Sequence, residues 1–172
     1  QDEILIEAFA NNEDIHARTA AEVFMTDAAG VSDELRQQAK TINFGIIYGM
    51  GPYSLSRELG ITQKMARTYI DHYFERYRGV KGFIDQTIEQ ARQDGRVSTE
   101  FGRIRYIPDI NSKNANMRGI AERAAVNTPI QGTAADLLKM AMIRVDTALC
   151  EKGFKSAMLL TVHDELVFEV PE

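Results

Sequence analysis

Apolar residues in the stretch from Leu35 to Ile46 recur as Leu35, Ala39, Ile42 and Ile46, the spacing of one buried stripe on a helix, with Ile47 out of pattern. The same stretch carries a second series, Arg36, Lys40, Phe44 and Tyr48, at four-residue intervals. Each four-residue step advances about 40° around a helix, so these four side chains share one face. The helix has its core stripe without the aromatics. Two cations and two rings are therefore set together on the other side, which suits a phosphorylated, ring-bearing ligand such as a nucleotide. Cations on a solvated face and rings covering a neighbouring domain are the plainer explanations for each residue alone. No acid lies between Glu34 and Glu58, so an anion meets no local repulsion along this helix or at the turn Gly49-Met50-Gly51-Pro52 that follows.

Elsewhere the pattern is mostly helical. DEILIEAFA and DIHARTAAEVF read as two short helices, the second capped by Asn12 or Asp14, with a turn over Thr26–Gly30. SLSRELG is a short helix ending at Gly60, and Thr62 caps a helix from Gln63 toward Tyr77 that Gly79 is expected to break. Helical spacing resumes over 80–94 and stops at Gly95. RVSTEFGRIRYIP then reads as a hairpin turning near Phe101-Gly102, and 110–116 as loop. A long helix is expected over 117–152, started, interrupted or kinked at Pro129 and closed by Gly153. SAMLLTVHDELVFEVPE reads as strand, tight polar turn and strand. A turn aspartate commonly bonds nearby backbone; two apolar strands carrying His163, Asp164 and Glu165 also make the rigid support a divalent metal needs.

Composition changes this picture little. The chain has 172 residues, is 44% hydrophobic and carries a net charge of −5, enough for one sizeable core. Charge is uneven: residues 1–34 hold nine acids and one base, the remainder sixteen acids and nineteen bases. A mildly acidic chain is not a DNA-binding module working by bulk electrostatics, so any phosphate site is local. The single cysteine, Cys150, excludes an internal disulfide framework and is expected to pack in an apolar helix rather than to catalyse, in a reducing compartment. With neither a signal peptide nor an apolar run of membrane-spanning length, a soluble protein is expected, with no membrane partner.

The spacing R-x3-K-x3-F-x3-YG resembles the second motif of family A DNA polymerases, the polymerase I type. VHDELVFEVPE at 162–172 resembles the family's third motif, and NTPIQGTAADLLK at 127–139 resembles the helix before it. The resemblance runs over essentially the whole chain, in the expected order. It implies an α+β, mainly helical fold: residues 1–10 as a palm-edge segment, 11–112 as fingers, and 113–172 as a partial palm with a long helix and a β-hairpin bearing the catalytic aspartate.

By position, the resemblance implies a role for each candidate. Arg36 and Lys40 contact the triphosphate of the incoming deoxynucleotide, Lys40 also donating a proton to pyrophosphate; Phe44 packs on sugar and base, and disfavours dideoxynucleotides; Tyr48 stacks near the template base. His16 is a further phosphate contact. Arg123, Asn127 and Gln131 meet the minor groove of primer–template DNA, and His163 the primer terminus. Asp164 is the metal-binding catalytic residue, with Glu165 beside it as the weaker candidate, for two Mg²⁺ ions. Gly45, Gly49 and Gly51 allow close backbone approach near the template.

The family's first motif, D-Y-S-Q-I-E, is not in this sequence, and Asp2 and Glu3 read as first-turn helix acids instead of replacements for it. The expectation is therefore a piece of a polymerase from a bacterial cytoplasm or a phage-infected cell. Such a piece is inactive alone and needs the remaining palm, the thumb and the first motif as partners. Two other classes share parts of the pattern. A single-subunit phage-type RNA polymerase has the R-x3-K-x7-YG skeleton, although Phe44 and the HDEL hairpin fit the DNA enzyme better. A non-catalytic helical DNA-binding module would bind DNA without needing Asp164 or a metal.

Overall fold

The structure is a computed structural model and describes residues 2–27 and 30–171. The expected turn over Thr26–Gly30 includes Ala28 and Ala29, which lie outside the described residues. Helices dominate: α1 (Glu3–Ala10), α2 (Ile15–Phe24), α3 (Asp33–Ile47), α4 (Pro52–Leu59), α5 (Gln63–Arg76), α6 (Arg78–Asp94), α7 (Ala115–Asn127) and α8 (Thr133–Glu151). Two antiparallel hairpins join them, β1–β2 (Arg96–Ser98, Ile104–Tyr106) and β3–β4 (Ala157–Val162, Glu165–Glu169). No helix among the described residues is long and apolar enough to cross a membrane.

The chain forms two compact units. The first takes in the chain up to Val97 together with Tyr106–Asn127; the second takes in Ser98–Arg105 together with the chain from Thr128 onward.

In the first unit, short polar side chains start the helices, Asp14 and Thr62 among them as the sequence places them. Asp14 accepts from the His16 and Ala17 amides at 2.9 and 3.0 Å, and Ser32 and Thr62 each accept from the amide three residues on at 3.2 Å. Gly60 and Gly95 close α4 and α6 in the left-handed conformation. Helix α4 begins at Pro52, earlier than the SLSREL reading, because a proline at the first helical position has no amide to leave unpaired. The main core joins Val23, Ile42, Ile46, Leu55, Ala66, Tyr73 and Tyr77. It is aromatic on one side, where Tyr73 and Tyr77 lie 4.8 Å apart by ring centroid. A second cluster packs Ala91 of α6 and Ala121 and Ala125 of α7, small residues that let the two helices approach closely, against Val97, Ile107 and Ile110.

Two local expectations for this unit are corrected. Gly79 does not break the helix; it lies in the first turn of α6, and the break is at Tyr77, with φ −100° and ψ 67°. The cause is tertiary. The fully buried Tyr77 side chain holds its place in the core, and Asp2 accepts from the Gly79 amide at 2.8 Å, capping the restarted helix from the far end of the chain. Asp2 is thereby more than a first-turn acid, since its other oxygen caps α1 through the Leu5 amide at 3.2 Å.

In the second unit, Pro129 interrupts the long helix: Thr128–Gly132 form a π-helical turn ahead of α8. Asp136, which is 5% exposed, receives the Thr99 hydroxyl at 2.8 Å and the Arg103 guanidinium at 2.6 Å. Those bonds tie the hairpin tip to α8. In β3–β4, Val162 pairs with Glu165, Leu160 with Val167 and Met158 with Phe168, with a register irregularity between Met158 and Leu160. Cys150 is exposed on α8, contrary to the packing expected from its apolar neighbours, because nothing described covers that face.

Candidate functional site

The first unit gathers His16, Arg36, Lys40, Phe44 and Tyr48 on one surface. Helix α3 supplies three of them, and its buried side, with Ala39 and Ile42 fully buried and Ile46 nearly so, fixes which way they face. Tyr48 stands at the C-cap just after the helix, yet its ring still stacks with Phe44 at 6.2 Å between centroids and 11° between planes. Both rings remain over 40% exposed, so their faces are available to a planar ligand.

Helix α2 contributes the other edge. Its cap residue Asp14 also accepts from Arg36 Nε at 2.7 Å, anchoring the guanidinium. The Ala17 amide bond and then Arg36 hold the Asp14 carboxyl below the usual carboxylate range. His16 lies 5.7 Å from Phe44 by ring centroid, and its Nδ1 is 3.0 Å from the Asn43 amide nitrogen. Burial lowers its pKa, Asp14 acts in the opposite direction, and Arg36 and Lys40 lower it further. The ring is thereby kept neutral at physiological pH. Lys40 is exposed and makes no hydrogen bond or ion pair among the described residues, leaving its ammonium available to an anion.

Arg123 reaches the same neighbourhood by another route. Gly49 has φ +74°, and a Cβ placed there would lie 2.6 Å from Arg123 Cγ, so the arginine stem crosses the glycine that follows Tyr48. Gly45 and Gly51 do not share this arrangement: a Cβ at Gly45 would meet Met50 Sδ at 3.2 Å, and one at Gly51 would meet nothing within 4 Å. At the end of α7, the Oδ1 of Asn127 is buried without a hydrogen-bond partner among the described residues.

In the second unit, Gln131 is exposed on the π turn and lines a 420 Å³ cavity with Arg103, Arg105 and Thr128. His163 and Asp164 form the two-residue turn between β3 and β4, His163 in the left-handed conformation with φ 56°. Glu165 begins β4, and all three side chains are exposed. No hydrogen bond or ion pair joins Gln131 to this turn among the described residues. Asp164 and Glu165 offer hard oxygen donors of the class Mg²⁺ takes, and no group of three metal-ligating residues occurs among the described residues. That donor set fits an open site completed by other carboxylates, water or phosphate.

Sequence reasoning missed the supporting residues. Asn43, Thr19 and Tyr77 hold His16, and Asp136 with Thr99 holds the hairpin carrying Arg103 and Arg105. One signal was legible. Asn43 adjoins Ile42 on the core side of α3, where a polar residue needs a partner.

The family model for DNA polymerase family A matches residues 1–172, and the chain belongs to that family. It is 54% identical over 171 residues to DNA polymerase I of Caldicellulosiruptor bescii and 51% identical over 172 residues to that of Bacillus subtilis. It covers 99% and 100% of itself in these matches and 20% of each relative, so it spans about a fifth of their length. Among solved structures it is similar to the polymerase domain of Pol1 from M. smegmatis in complex with DNA primer-template and dNTP. That likeness has a TM-score of 0.93 and 45% identity, over 99% of this chain and 30% of the other. The family match favours the DNA enzyme over the phage-type RNA polymerase skeleton.

Proposed function

We propose that this chain is the nucleotide-binding and part of the metal-binding machinery of a template-directed DNA polymerase that joins deoxynucleotides to a primer 3′-hydroxyl. The observation that carries the proposal is the cation–aromatic surface of His16, Arg36, Lys40, Phe44 and Tyr48, in a chain half identical to DNA polymerase I. Residues 11–112 act as fingers and 113–172 as part of the palm, with 1–10 at the palm edge. The primer–template and dNTP bound by the M. smegmatis relative are the substrates assigned here. Bacterial cytoplasm is the assigned setting.

Roles follow from the side-chain chemistry. Arg36, steadied through Nε by Asp14, turns its remaining guanidinium donors to the triphosphate, and Lys40 pairs with it and protonates the departing pyrophosphate. Phe44 packs against sugar and base, Tyr48 stacks beside the template base, and His16 donates to a phosphate oxygen. Arg123, Asn127 and Gln131 test minor-groove acceptors common to all correct pairs, and His163 meets the primer terminus. Asp164, with Glu165 beside it, holds Mg²⁺ together with carboxylates from outside these residues. The chemistry Mg²⁺ supplies when bound, as two ions, is acidification of the 3′-hydroxyl and neutralisation of charge on the triphosphate. Rotation of α3 on nucleotide binding couples correct pairing to assembly of the site.

The test is a chimera in which these residues replace the equivalent segment of an active family A polymerase, assayed by primer extension. Synthesis lost in both Lys40→Ala and Asp164→Ala chimeras, by about a hundredfold or more, supports the reading. A folded chimera that binds DNA yet is inactive refutes it in favour of a binding module, and activity that ignores Asp164→Ala refutes the metal-binding part.

A further inference from the structure

A continuous polar chain runs through the core of the first unit behind the nucleotide face. The Tyr77 hydroxyl lies 3.1 Å from Thr19 Oγ1, Thr19 Oγ1 lies 3.1 Å from Asn43 Oδ1, and the Asn43 amide nitrogen lies 3.0 Å from His16 Nδ1. Tyr77 and Thr19 are fully buried and Asn43 is 5% exposed. Residues from α2, from α3 and from the junction between α5 and α6 thus support one histidine.

The direction of the chain follows from the tyrosine. Burial raises the Tyr77 pKa, so the phenol keeps its proton, and Thr19 is its one hydrogen-bond partner among the described residues. A buried hydroxyl without an acceptor is costly, so Tyr77 donates to Thr19. Thr19 then has its own proton for Asn43 Oδ1. The Asn43 amide is thereby oriented with its N–H groups toward His16, and Nδ1 can only accept. The opposite direction would leave the Tyr77 proton buried and unpaired.

We propose that Asn43, oriented by Thr19 and Tyr77, is a positioning residue that fixes His16 as the neutral tautomer protonated at Nε2, presenting one N–H donor to a phosphate of the incoming nucleotide. The inference rests on the nucleotide-face reading above and adds the device that sets the donor. A histidine free to take the other tautomer would turn a lone pair toward the phosphate. The charged groups acting on the ring are Asp14 from its own helix start and Arg36 and Lys40 from α3. Asn43 and Tyr77 are the polar groups behind it.

The experiment is steady-state incorporation by the chimeric polymerase, with dNTP as the probe and thermal melts as fold controls. His16→Ala is expected to raise KM for dNTP about tenfold, the loss of one charge-assisted hydrogen bond. His16→Gln, whose amide nitrogen replaces Nε2, restores most of the affinity, and His16→Asn, whose amide overlays Nδ1, does not. Asn43→Ala raises KM about threefold or more, with kcat within about twofold. Asn43→Asp keeps shape and the Thr19 bond, which preserves the test if the alanine variant melts. Its carboxylate makes Nδ1 a donor and raises the His16 pKa. As that imidazolium loses its proton with rising pH, KM rises, whereas with Asn43 it stays flat over the same range. Rescue by asparagine instead of glutamine, or a flat profile in Asn43→Asp, overturns the tautomer while leaving the nucleotide face standing. An unchanged KM in His16→Ala overturns the phosphate contact itself, and with it this use of Asn43.

Discussion

Replacing Gly49 by alanine separates backbone strain from steric conflict at one position. The residue sits at φ +74°, where a side chain costs about 1–2 kcal/mol, and the new methyl would lie 2.6 Å from Arg123 Cγ and 3.2 Å from Cδ. Real carbon contacts stand near 3.5 Å or beyond, so the arginine must move by close to an ångström. It is a flexible, exposed side chain, so displacement adds on the order of 1 kcal/mol, below the cost of overpacking a rigid core. The expected loss is about 2–3 kcal/mol for Gly49→Ala in the native background. In an Arg123→Ala background only the strain remains, about 1–2 kcal/mol. Urea denaturation followed by far-UV circular dichroism on the four members of this cycle measures the difference as a coupling energy. A coupling energy of zero would refute the packing of Arg123 over Gly49. A Gly49→Ala variant as stable as the parent would refute the left-handed conformation as well.

Three further outcomes follow from the packing and charges. Ile42→Ala, at a fully buried position in the main core, should lower stability by about 2–5 kcal/mol in the same assay, whereas Ile143→Ala, at a site 67% exposed, should change it by less than about 0.5 kcal/mol. Acid titration of stability should show a contribution from Asp14: its folded pKa lies below 3.8, so the stabilisation is present above that value and is lost as pH falls through the folded pKa. Asp14→Asn should remove that slope. Asp136 is lowered in the same direction, first by Arg103 and then by Thr99, so Asp136→Asn should loosen the 98–105 hairpin, read as faster amide exchange at Arg103 and Glu100.

Much of the architecture was legible because it is set by neighbours in sequence. Helix starts at Asp14 and Thr62 and stops at Gly60 and Gly95 depend on backbone groups a few residues away. The α3 face was legible for the same reason, since helical geometry alone brings residues four apart together. The restart of α6 at Arg78, with Gly79 inside its first turn, was not, because the residues that decide it, Asp2 and the core residues Val23 and Ile42, are distant in the chain.

What the sequence by itself determined was the element order, the cation–aromatic face of α3, the tight polar turn bearing Asp164 between two strands, and the motif spacing that places the chain in its family. What only the tertiary structure decided was how those groups are held. Asp14 steadies Arg36 across 22 residues, Asn43 meets His16 across 27, Tyr77 meets Thr19 across 58, and Arg123 crosses Gly49. Local spacing encodes which side chains share a face. Hydrogen bonds between distant residues depend on how the helices pack, and the packing satisfies buried polar groups that no local pattern reveals.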